Sequence, residues 1–209
     1  INEELGRAEA SLREIALAAV RAGKHVSVQK PMAMTLNECD SMIDAARAAG
    51  VKLRVYENFV FYPPYRKAIE LMETGEIGEP RTLRMHMGTG AIGGWHVPLS
   101  VWLWRFSYSE CGGGPTLWDD GYHKFSTIIE MFGPVEIVSG WIDWAFGRID
   151  SPASFAWKHK NGRLGHMEVT MHPNMSVRSK YYPADERIEI TGDRGSIIVT
   201  RCTGQLNDE

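Results

Sequence analysis

Apolar positions in the first part of the chain switch between a helical and a strand period. Leu5, Leu12, Ile15, Ala16, Ala19 and Val20 recur at spacings of three, four and seven, which predicts a helix over 3–22 with these residues inward. Gly23 is placed to stop it. His25 to Gln29 is short and rich in β-formers, so a strand is expected there, ending at Lys30-Pro31. Thr35-x-x-Glu38 is a capping box, and Cys39, Met42, Ile43 and Ala46 carry a second helix from it to Gly50. Residues 51–56 (VKLRVY) read as the next strand. Strands alternating with helices imply a parallel sheet built from βαβ units.

The pattern changes after Asn58. Pro63-Pro64 opens a helix over 65–74, with Tyr65, Ile69 and Met72 inward and Gly75 at its stop. A strand over 81–88 follows, then an irregular stretch over 89–112 with short helical turns, then a helix over 115–132. Four β-like stretches close the chain at 135–145, 153–160, 164–173 and 186–200, with Asn161-Gly162 as a hairpin turn and Asp193-Arg194-Gly195 as another tight turn. The expected fold is therefore α/β over residues 1–58, then α+β over 59–209 with a mainly antiparallel open sheet.

Composition narrows the classes. With 44% hydrophobic and 23% charged residues, the 209-residue chain is ordinary for a globular protein with a real core. A net charge of −3 gives no footing for nucleic acid or an anionic membrane surface as partner. No apolar run approaches the ~20 residues that span a bilayer. The start Ile1-Asn2-Glu3-Glu4 is acidic, unlike a signal peptide. Cys39, Cys111 and Cys202 are far apart and lack metal-ligand spacing, which points to reduced thiols and a cytoplasmic setting.

Two short motifs carry the candidate chemistry. Lys30 lies just past the end of a predicted parallel strand, where open α/β sheets bind ligands, and Pro31 stiffens its backbone. Read alone, it is a solvated surface lysine. Asp119 and His123 are four residues apart on a predicted helix and would share a face, with the carboxylate orienting the imidazole for proton transfer. Read alone, they are an ordinary surface pair. Gly121 between them costs roughly 1 kcal/mol in a helix interior, which suggests close approach by a ligand or another backbone. Asp120 points about 100° away and falls outside the site. Asp119, Asp120 and His123 lack a third partner of clear ligand character, so no metal is expected.

The order of these motifs resembles the Gfo/Idh/MocA family, the glucose-fructose oxidoreductase and inositol dehydrogenase group. Four stretches carry the resemblance: residues 18–26 with Gln29-Lys30-Pro31; Tyr56-Glu57-Asn58 through Pro63; Thr74 to Pro80; and Trp104-Arg105 with Gly112-Gly113-Gly114 leading to Asp119-x-Gly121-x-His123. The resemblance implies a Rossmann domain that binds NAD or NADP and an α+β domain that serves as substrate platform. It implies hydride transfer at a secondary alcohol or ketone of a sugar, polyol or related compound. Lys30, Asp119 and His123 would be the catalytic group. Either Lys30 or His123 would accept the hydroxyl proton, with His123, which needs less tuning, favoured as acid/base and Lys30 then polarising the oxygen. Gln29, Lys30, Pro31 and Asn58 would lie on the cofactor side. Arg105, Trp104 and Tyr122 would contact substrate. A homo-oligomer, dimer or tetramer, would cover the open sheet.

This chain departs from the family pattern at three positions: Gln29 replaces the usual Glu, Ser126 stands where many members have Asp, and Val60 where Arg is frequent. The glycine-rich dinucleotide turn is expected before residue 1, so the chain would hold the back half of a Rossmann unit. Gly88-x-Gly90-x-x-Gly93 has the right spacing but precedes no amphipathic helix and is read as a decoy. Trp95, Trp102, Trp104, Trp118 and Tyr122 suit stacking on sugar C–H faces or, equally, packing. Trp141, Trp144 and Trp157 fall on predicted strands, as sheet packing or oligomer contacts. Two other functions stay open: glycoside processing with transient oxidation by bound NAD, and a non-enzymatic sugar- or dinucleotide-sensing regulator.

Overall fold

The computed structural model describes residues 2–93, 98, 100, 103–107, 111, 113–144, 149–177 and 184–201, with the side chains of 2–11 and 91–93 outside that description. Trp95, Trp102, Gly112 and Cys202 lie outside the described residues. Helix α1 (Asn2–Arg21), strand β1 (Val26–Gln29), helix α2 (Leu36–Ala48) and strand β2 (Leu53–Tyr56) form the first layer. The strands pair in parallel, Val28 opposite Val55, as the alternation implied. Thr35 caps α2 through its side chain and Glu38 returns the bond, the reciprocal arrangement read from the sequence.

The inward face of α1 matches the expected one at Ala16 and Val20 but not at Ile15 and Leu12. Ala16, Leu17 and Val20 are buried, and Ala16 and Leu17 pack with Val28 and Met42; Ile15 is 66% exposed and Leu12 36%. Periodicity fixes an apolar stripe but not which edge of it meets the neighbour. Small Ala16 allows the close approach to α2 and β1, and the helix turns that edge inward.

The second layer is a six-stranded sheet in the order β4-β5-β6-β3-β7-β8. Its strands are β3 (Pro80–Gly93), β4 (Val135–Ile142), β5 (Ala153–His159), β6 (Leu164–Val177), β7 (Ala184–Gly192) and β8 (Ser196–Arg201). All neighbours are antiparallel except β3 and β6. Leu83, Met85, Met167, Ile188 and Ile190 point to one face and are almost fully buried under α3 (Pro63–Glu73) and α4 (Gly121–Phe132). Each such side chain contributes roughly 1.5–3 kcal/mol through burial. The opposite face carries Arg84, His86, His166, Glu168, Arg187 and Glu189, and no described element covers it.

Strand β3 runs to Gly93, farther than the predicted 81–88, so Gly88-x-Gly90-x-x-Gly93 is strand and not a nucleotide loop. A Cβ on Gly90 would lie 1.9 Å from the Met175 carbonyl oxygen, so this glycine serves sheet packing. Trp157 is buried and donates its indole N–H to His159 at 2.7 Å, whereas Trp141 and Trp144 are exposed.

Candidate functional site

Chain ends of the two parallel strands deliver the first half of the site. Lys30 follows β1, and its ammonium reaches the second layer, donating to the Asp119 carbonyl at 2.6 Å and to Asp119 Oδ1 at 3.0 Å. Arg105, on a short 3₁₀ turn (Leu103–Phe106), donates from Nε to Asp119 Oδ2 at 2.6 Å, and its guanidinium lies over the Trp104 ring at 4.4 Å. Lys30, Pro31, Trp104, Cys111 and Asp119 line a cleft of about 100 Å³. Burial alone would raise the Asp119 carboxyl, but Lys30 and Arg105 outweigh it and hold the group below its ordinary value.

Asp119 sits on a π-helical turn, Pro115–Asp120, that precedes α4. Asp150 caps this turn: its carboxylate accepts the Thr116 N–H at 2.8 Å and the Leu117 N–H at 2.6 Å. The carboxylate lies where a side chain on Gly114 would be, 1.9 Å from an ideal Cβ, which explains a glycine at that place. The π turn also corrects one expectation. Its i→i+5 winding turns less per residue than an α-helix, so Asp119 and His123 do not act as an i,i+4 pair. Asp119 goes to Lys30 and Arg105, and His123 takes another carboxylate.

That carboxylate is Glu57, just past β2. Both its oxygens lie 2.8 Å from His123 Nδ1, and Oε1 also accepts the Phe59 N–H at 2.7 Å. Phe59 stacks on the imidazole, centroids 4.0 Å apart and planes 12° apart. Burial lowers the His123 pKa, the Glu57 bond opposes this, and the Lys30 charge lowers it further, with a net value below 6.5. An ionised carboxylate at Nδ1 requires that nitrogen to carry the proton, which leaves Nε2 as the basic nitrogen. Asp120 favours the charged imidazole and lies 3.4 Å from Lys124, so it is closer to the site than its helical phase suggested.

The other expected residues fall in several places. Tyr122 is half-buried; burial raises its phenol, with Glu57 and Cys39 adding to that and a bond to Ser126 opposing it. Gln29 is exposed and accepts the Lys30 N–H at 3.2 Å; Asn58 is exposed. Gly121 approaches the Thr116 carbonyl of its own preceding turn, 3.3 Å from an ideal Cβ, rather than a separate backbone. Trp118 packs on Gly113. Sequence reasoning missed Glu57 and Asp150. Glu57 had a signal, an acid directly after a predicted parallel strand; Asp150 had none.

A two-stranded parallel layer flanked by helices and an open six-stranded sheet thus bring a lysine and a histidine to their seam. The chain belongs to the GFO/IDH/MocA family: residues 10–57 match its oxidoreductase NAD-binding Rossmann fold and residues 65–198 its C-terminal domain. It is 37% identical over 116 residues to 1,5-anhydro-D-fructose reductase of Ensifer adhaerens, covering 56% of this chain and 33% of that protein. It is 30% identical over 207 residues to myo-inositol 2-dehydrogenase of Thermotoga maritima, covering 94% and 56%. The crystal structure of a probable dehydrogenase from Thermotoga maritima superposes with a TM-score of 0.71 at 26% identity, covering 92% of this chain and 55% of that one. The chain thus spans about a third to a half of these relatives' length. No described helix is long and apolar enough to cross a membrane.

Proposed function

We propose that this chain forms the catalytic part of an NAD- or NADP-dependent oxidoreductase acting on a secondary alcohol or ketone of a sugar, polyol or related small molecule. The observation that supports it most is the convergence of Lys30 and a Glu57-bound His123 at the carboxyl ends of two parallel strands. Gln29, Lys30, Pro31 and Asn58 would flank the nicotinamide end of the cofactor. A nicotinamide placed there supplies the hydride acceptor or donor. The 100 Å³ cleft suits one ring rather than a dinucleotide, and the glycines at 88–93 are strand, so the described residues offer no phosphate cradle.

His123 Nε2 takes the hydroxyl proton as the alcohol is oxidised. Glu57 keeps the Nδ1 proton in place and stabilises the imidazolium that forms. Lys30, held as a donor by two Asp119 oxygens, polarises the substrate oxygen. Asp119 works on Lys30 and Arg105, not on His123. Arg105, Trp104 and Tyr122 border the substrate side. A second copy of the chain would cover the charged sheet face, and cysteines as sparse as Cys39 and Cys111 fit a cytoplasmic protein.

Reduction of NAD and NADP by the full-length protein against a panel of polyols and sugars tests this reading. Reduction with at least one substrate, lost in H123A, is expected. Bound dinucleotide without turnover of any substrate would favour the regulator reading instead.

A further inference from the structure

Behind His123 lies a group of charges that the proposed proton transfer does not use. Phe59, stacked on the imidazole, also has two cations at its ring: Lys124 Nζ 4.3 Å from the centroid and Arg201 Cζ 4.2 Å. Lys124 is fully buried and pairs with Glu186, itself 1% exposed. Glu186 also lies 3.6 Å from Arg201 Nη1 and 3.5 Å from the Tyr65 hydroxyl. Burial, and then the Glu186 charge, pushes the Tyr65 phenol far up, so it remains a donor.

A pair this deep is weak ground for stability, because desolvating both charges offsets most of their attraction and a well-packed apolar pair serves as well. What it does supply is fixed geometry. Lys124 follows His123 on α4, Arg201 is on β8, and Phe59 is on the turn after β2, so three separate elements meet at one ring, and Glu186 on β7 joins the two cations.

We propose that the buried Lys124–Glu186 pair, with Arg201, is a positioning device that clamps Phe59 against His123 and fixes the charge behind the imidazole, Glu186 offsetting part of the two cations. Its functional meaning rests on the reading of His123 as proton acceptor. The distances of 4.0 and 4.3 Å, laid end to end, put the Lys124 ammonium within about 8.3 Å of the imidazole centroid. Charges act on one another over that range in a partly dry interior. The remaining charges facing His123 are Glu57 at Nδ1, Lys30 from the end of β1, and Asp120 from the π turn. Each half of the pair therefore acts on His123 with opposite sign, and the intact pair nearly cancels.

The test is an NMR pH titration of the His123 ring in the full-length protein, without substrate or cofactor. E186Q leaves the cations unbalanced and should lower the His123 midpoint; K124M should raise it, each by roughly 0.5–1 pH unit. R201M, at the edge of the cluster, should raise it too and covers the case in which the buried variants do not fold. Simple loosening of the packing would move E186Q and K124M the same way, towards the ordinary histidine value. Shifts in one direction, or an unmoved midpoint in R201M, would overturn the proposal. Because the readout needs no turnover, that failure is distinct from a failure of the oxidoreductase reading, which shows only in the activity assay.

Discussion

Asp119 and Glu57 are the carboxylates that bind Lys30 and His123, and their partners differ in kind. Asp119 is bound by two cationic side chains, Lys30 and Arg105, which hold its carboxyl below its ordinary value against the effect of burial. Glu57 holds one imidazole, a group whose charge can change and whose pKa burial lowers. The first arrangement locks a charge pattern; the second keeps one nitrogen ready to accept a proton. An ammonium held beside a titratable imidazole would suit the proposed alcohol oxidation, with one carboxylate for each end.

Exchanging the carboxylates for amides separates their roles. E57Q removes the charge that stabilises the imidazolium and lets an amide N–H face Nδ1, so the His123 tautomer is no longer fixed. It should lower kcat by roughly 10²-fold or more, with little change in stability, measured by steady-state kinetics and denaturant unfolding. D119N should act mainly on stability. It leaves Lys30 and Arg105 without their carboxylate in a site where their side chains are only 11% and 24% exposed, at a cost of about 1–3 kcal/mol in urea unfolding.

The same contrast has a pH signature. The folded Asp119 pKa is depressed, so its stabilisation is fully present above the ordinary value of 3.8 and is lost as pH falls through the lower folded value. The acid limb of unfolding should therefore shrink in D119N relative to the parent protein. A smaller effect is expected at the cap of the π turn: D150A should cost about 1 kcal/mol or slightly more, since two N–H groups lose their acceptor. Equal loss of rate in E57Q and D150A would mean that Glu57 acts only through packing.

Most of the fold was legible in the chain. Periodicity, the Thr35 capping box and the turn residues located the main helices and strands, because each is a local signal. Lys30 and His123 could be named from their motifs. Their true partners could not, since Glu57 and Asp119 reach them across 66 and 89 residues respectively. Helical spacing even suggested the wrong carboxylate, because nothing in Pro115–Asp120 announces π winding. Asp150 lay deeper still: a cap on a turn 34 residues earlier is fixed only by how the sheet folds back. The exposed edge of α1 shows the same limit, with Ile15 outward although its period is helical.

The pH dependence of kcat/KM for alcohol oxidation by the full-length protein tests the central claim most directly. If His123 Nε2 accepts the proton, the rate falls on the acid side with a midpoint below 6.5, since burial and Lys30 favour the neutral ring over the pull of Glu57. That limb disappears in H123A and survives in K30M. A limb that persists in H123A and vanishes in K30M would instead make Lys30 the base.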